Sequence, residues 1–162
     1  MDILTPKGQE TLRKERAVIA AWPRLYPGFL YIETDKERDA VNDGIIVKAK
    51  TNTIVAVCET KCRGSTIEQF DNWNREWLIT YKKIKRNAFL AREMRVFFTG
   101  IMYLAPSNIL LVKNLYDGNT DKWLVDFRTD KTETQQTVNG GRVVRENAFI
   151  DMRGAREFTV ES

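Results

Sequence analysis

The chain is predicted to fold as a single α/β domain, with a central mixed sheet flanked by helices and a β-rich extension at its C-terminal end. Three observations carry that expectation. Apolar residues recur at helical spacing near the start, then form three short strand-like runs, then return to helical spacing before a further strand-like run, giving the order αβββαβ. The run Thr53-Ile54-Val55-Ala56-Val57-Cys58 is apolar on both alternating faces, as expected of a central strand covered on both sides. A length of 162 residues suits one core. The domain spans residues 1–162, with a core over 8–104 or 8–115 and the extension over 116–162.

Thr5-Pro6 reads as an N-cap followed by proline at the first helical position, and Leu12, Val18, Ile19 and Trp22 mark the apolar face of a helix over 6–22, stopped by Pro23. Glu15 falls in the centre of that apolar stripe, and Glu10 on the wet side. Pro27-Gly28 is a turn into a first strand over 29–32, followed by a charged loop over 33–39. Asp43-Gly44 opens a second strand over 43–47, and Lys50-Thr51-Asn52 is tight enough to make the third strand its antiparallel neighbour. Gly64-Ser65 ends that strand. Ile67, Phe70, Trp73, Trp77, Tyr81 and Ile84 then predict one long helix over 66–86, with Trp73 and Trp77 in the core. Strands follow over 95–104 and 109–115, then a run over 122–127, and Asn139-Gly140-Gly141 marks a hairpin.

Composition narrows the chemistry. A net charge of +4 and a pI near 9.1 are compatible with a polyanionic partner without identifying one. With no membrane-length apolar stretch and no leader pattern at Met1, the expected setting is cytoplasmic, with no membrane partner. Cys58 and Cys62 would lie about 13 Å apart on an extended strand, too far to bridge, and two reduced thiols fit that setting. The chain contains 0 histidines. That removes His-Cys zinc sites, histidine general-base nucleases and Ser-His or Cys-His triads, so catalysis must run on carboxylates, lysine and metal.

One constellation fits that inventory. Glu59 and Lys61 stand two apart on a strand and therefore project from the same face, about 7 Å apart at their Cα atoms. Asp43, at the start of the antiparallel neighbour, converges on Glu59 near the third strand's end. Two hard carboxylates beside an ammonium suit a divalent cation and a phosphodiester. Asn42-Asp43, fifteen intervening residues and Glu59-Thr60-Lys61 resemble the PD-(D/E)XK nuclease superfamily, with asparagine where proline often stands. The resemblance covers roughly residues 8–104.

It implies a restriction-endonuclease-like core and Mg2+, with Mn2+ able to substitute, held by Asp43, Glu59 and the main-chain carbonyl of Thr60. Lys61 would position or activate the attacking water, and in-line hydrolysis of DNA would leave a 5′-phosphate. Glu15 resembles the additional helical acid of many members, including archaeal Holliday-junction resolvases, as a helper or metal ligand; pairing with a cation such as Arg13 is the alternative. Gln69 with Trp73 resembles the glutamine-plus-aromatic helix element of RecB-type members. The implied enzyme is an endonuclease of phage, recombination or DNA-repair type, and two centres for two strands imply a homodimer. Lys82, Lys83, Lys85 and Arg86 form the densest basic segment, either tracking a DNA backbone or decorating the wet face of a helix. Two rival classes remain: a non-catalytic nucleic-acid-binding module on the same fold, and a structural assembly protein.

Overall fold

In the computed structural model, which describes residues 5–34, 42–135 and 142–160, the first helix starts as its sequence dictates. The Thr5 hydroxyl accepts a hydrogen bond from the N–H of Gly8 (3.0 Å), Pro6 follows, and α1 runs Pro6–Leu25. The helix continues past Pro23 instead of ending before it. Proline there forfeits one backbone bond in the last turn, and the stacking of Trp22 on Tyr26 (4.8 Å) and its edge contact with Tyr31 (5.7 Å) keep that turn against the sheet.

Three strands follow as a meander: β1 Phe29–Glu33, β2 Gly44–Lys48 and β3 Thr53–Arg63, each antiparallel to the next. The predicted tight turn is present, with Asn52 at φ 55°. The charged loop, with Asp35, Glu37 and Asp39, lies largely outside the described residues, as does the turn at Asn139-Gly140-Gly141.

The single long helix over 66–86 is a correction. The segment divides into α2 Ile67–Asn72, strand β4 Glu76–Thr80 and α3 Tyr81–Met94. Asn74 and Arg75 both take left-handed backbone angles (φ 56° and 51°), which no helix accommodates in sequence. Beyond them Trp77 and Ile79 are buried while Leu78 is exposed, a period of two that β9 captures by antiparallel pairing. Residues spaced at 70, 73, 77, 81 and 84 satisfy a helical pattern as well, so only the distant partner resolves the ambiguity. Trp73 is corrected with it: it lies outside the core, 55% exposed at the end of α2.

After α3 come β5 Phe97–Leu104, β6 Ile109–Asp117, β7 Lys122–Trp123, β8 Phe127–Gln135, β9 Arg142–Asp151 and β10 Arg156–Thr159. The main sheet runs β1-β2-β3-β5-β6-β10, with β7 on β6, and β5 lies parallel to β3. A second sheet, β4-β9-β8, packs against it. The C-terminal extension is therefore no appendage: β10 edges the main sheet, and β9 is the strand that makes β4 a strand. The architecture is mixed α/β, with a seven-stranded mixed sheet and, among the described residues, three α-helices.

The main sheet is buried on both faces. Val18 and Trp22 of α1 pack with Tyr31, Ile46, Ala56, Cys58 and Ile101 on one side. Ile84, Ala88 and Ala91 of α3 pack with Val57, Phe98, Met102 and Trp77 on the other. Each large aliphatic side chain so buried contributes about 1.5–3 kcal/mol, which is why the central strand reads as apolar throughout. No helix among the described residues is long and apolar enough to cross a membrane.

Candidate functional site

The second face of β3 ends in charge. Val57 belongs to the core, but Glu59, Lys61 and Arg63 continue the same alternation, and Glu59 is only 1% exposed. Asp43 precedes β2 by one residue. The register pairs Gly44 with Cys58, so continuing it brings Asp43 opposite Glu59. Backbone bonds fix it there: the Asp43 N–H donates to the Cys58 carbonyl (2.9 Å), and the Thr60 N–H donates to Asp43 Oδ2 (2.8 Å). The acid is thus held by the two residues that flank Glu59. Asn42, where the resembled motif often has proline, donates from Nδ2 to the Gly44 carbonyl (2.6 Å) and accepts at its own carbonyl from the Thr34 hydroxyl (2.6 Å). A side-chain amide shapes the approach to the aspartate.

Two cations meet the buried glutamate. Lys61 Nζ lies 3.7 Å from Glu59 Oε1, and Lys83 Nζ, from the first turn of α3, donates to the same oxygen at 3.0 Å. Burial raises the Glu59 carboxyl above its ordinary value and the charge of Asp43 raises it further, while Lys61 and Lys83 pull it back. Burial lowers the Lys61 ammonium; Glu59 opposes this, and neighbouring Lys83 adds to it. Burial works against the charge of Lys83 too, but its contact with Glu59 leaves it raised overall. Like charges and opposite charges are packed together at the end of one strand.

These shifts set a pH dependence. Glu59 has a folded value above its ordinary 4.5, so it binds its proton more tightly folded than unfolded. Its stabilising contribution is full below about pH 4.5 and is lost as pH rises through the folded value. Removing Lys83 raises that value again and leaves the ionised acid with Lys61 alone. Lys83→Met is expected to cost about 1 kcal/mol near neutral pH, discounted because the Lys83 side chain is 45% exposed. The deficit should fade on acidification once Glu59 is protonated. Urea titrations across the acid range check both sign and position.

On the other face Thr60 is buried, and its hydroxyl shares a hydrogen bond with Tyr31 Oη (2.7 Å). Gly44 permits this: a Cβ there would strike the Tyr31 ring and lie 2.8 Å from the Ile32 carbonyl. Gly44→Ala is therefore expected to cost about 1–3 kcal/mol by overpacking and to disturb Asp43, its neighbour; thermal melting beside an activity assay measures the pair. Burial, followed by the nearby Cys58, raises the Tyr31 hydroxyl well above its usual value. Both thiols are free, and burial raises each above its ordinary value, Cys62 to about 12.

The structure joins Asp43, Glu59, Thr60 and Lys61, and adds Lys83. Glu15 is half-buried on α1, on the side of β3 away from Glu59, where its charge acts on Cys62 and on the Tyr31 hydroxyl, which the charge of Asp43 also reaches. Among the described residues no three acids or thiols form a group able to hold a metal. Arg13 pairs with Glu10 (2.6 Å). Gln69 closes a capping box on α2, its Oε1 accepting from the Thr66 N–H at 2.9 Å. Lys82, Lys85 and Arg86 face solvent, Lys85 over the Tyr81 ring (4.7 Å). Lys83 is the residue whose site role the sequence concealed: its inward direction follows from a helix start at Tyr81 that the helical periodicity placed fifteen residues too early. No family model matches the chain, nor does any curated protein or solved structure.

Proposed function

We propose that the chain is a Mg2+-dependent deoxyribonuclease with a restriction-endonuclease-like core. The observation that carries this reading is buried Glu59, set against Asp43 and approached by two lysines. A carboxylate pair forced together at a strand end is costly unless a cation joins it, and Lys83 acts as a stand-in for that cation. Supporting the core assignment is the meander β1-β2-β3, followed by a crossover through α3 to parallel β5.

The donor chemistry fits a hard divalent ion. Asp43, Glu59 and the Thr60 main-chain carbonyl would hold Mg2+ or Mn2+ through oxygen. When bound, the ion supplies Lewis-acid polarisation and charge neutralisation at the scissile phosphate. Lys61 orients the attacking water and offsets the charge that builds on the phosphorus oxygens. Burial, opposed by Glu59, holds the Lys61 ammonium below the ordinary lysine value, the direction a proton-transfer role requires. Water adds to phosphorus, the bond to the 3′ oxygen breaks, and that oxygen leaves as a hydroxyl while the phosphate stays on the 5′ side. Cleavage of both strands of a duplex would call for two copies of the centre, hence a homodimer.

The test is incubation of plasmid, single-stranded and four-way-junction DNA with Mg2+, with Mn2+ and with EDTA. Products are expected with either metal and none with EDTA. Salt-sensitive DNA binding without cleavage in any arm would instead identify the non-catalytic binding module.

A further inference from the structure

Two residues beyond Lys61 on the same face of β3, Arg63 enters a cleft of about 320 Å³ lined also by Phe70, Trp73, Leu78, Met102 and Phe149. Met102 is the β5 residue in register with Lys61, so cleft and candidate centre adjoin. Two strand residues span about 7 Å, roughly one step of an extended nucleic-acid strand. Resting on the nuclease reading above, we propose that this cleft receives one unpaired nucleobase of the DNA strand whose phosphate lies at Lys61, stacked on Trp73.

Several features of the cleft suit that occupant. Trp73 is 55% exposed, whereas Trp22 and Trp77 are buried. Its main chain is held: the backbone N–H bonds the Gln69 and Phe70 carbonyls, and Arg75, two residues on, is tied to Asp71 (2.5 Å) and Glu157 (2.7 Å). The backbone that carries the ring therefore needs no ordering on binding. The rim carries two arginines and one acid: Arg63 on one wall, donating to the Leu78 carbonyl (3.2 Å), and Arg128, over the Phe149 ring at 3.9 Å and paired with Glu76 of the lining (3.4 Å), which leaves one positive charge in excess for a phosphate-linked ligand. The volume is ample for one planar base, and stacking on an indole needs an open base face, which a base stacked inside a duplex does not present. Stacking is tolerant of base identity, so the cleft selects unpaired strands and not a sequence. The substrate class that follows is DNA with a single-stranded segment at the cut: a gap, a flap or a branch point.

The test uses the full chain in EDTA at low salt, so that no cleavage occurs. Fluorescence anisotropy is followed with a labelled oligodeoxythymidine, an oligouridine of the same length and a duplex. Trp73→Ala is expected to weaken binding of the single DNA strand by about tenfold or more, Trp73→Phe to restore most of it, and the duplex to be unaffected. Equal loss on single strand and duplex, no loss at all, or tighter binding of the RNA strand would overturn the proposal. The two readings fail separately. Trp73-dependent binding without Mg2+-dependent cleavage sinks the nuclease and keeps the cleft; cleavage that needs Lys61, with single-strand binding indifferent to Trp73, does the reverse.

Discussion

Replacing Lys61 with alanine is expected to lower the rate of Mg2+-dependent DNA cleavage by about 10²–10³-fold, with KM little changed. The ammonium is worth most where charge develops on phosphorus, so its loss is felt in the transition state more than in the bound substrate. Folding should survive, because the side chain is 29% exposed and Lys83 still faces Glu59. Glu59→Ala is expected to abolish cleavage as well, by a different route, since it removes one of two carboxylates and leaves two lysines without their shared partner. Single-turnover assays on one labelled substrate, read beside circular dichroism of each variant, separate chemistry from folding. Wild-type rates in both variants would defeat the nuclease reading.

The largest effect on stability is expected from Trp77→Ala, at about 3–5 kcal/mol. Trp77 is fully buried on β4, opposite Ile150 of β9, and its ring reaches across to the main sheet. Gly100 of β5 makes room for it: a Cβ there would lie 2.7 Å from the Trp77 ring and 2.8 Å from Leu115. No smaller side chain fills that space. Against the 5–15 kcal/mol typical of a domain, the loss is large enough to read as a lowered urea midpoint. Trp77→Phe should cost clearly less, because the indole N–H has no hydrogen-bond partner among the described residues. A loss below about 1 kcal/mol for the alanine variant would mean that the small sheet is not anchored by this ring. Since β4 runs directly into α3, the same anchor sets where Lys83 begins.

The meander was legible in the sequence because its signals are local. Alternating burial in β3, the turn at Asn52 and the cap at Thr5 each depend on a few neighbouring residues, and each took the form their chemistry dictates. The pairing of Glu59 with Lys61 was legible for the same reason, since a strand must project both from one face. The segment 66–86 was not. Its apolar spacing permits helix and strand alike, and the choice fell to β9, seventy residues away in the chain, whose own turn gave no hint of that partner.

By itself the sequence determined the central strand, its antiparallel neighbour β2 and the chemistry that 0 histidines leave available, because periodicity, turn geometry and residue type act over a few bonds. The tertiary structure alone decided that Lys83 meets Glu59, that Glu15 stands on the opposite face of β3 and that Trp73 is left open to solvent. Those placements depend on which surfaces pack together, and packing is settled by contacts between residues that no local pattern connects.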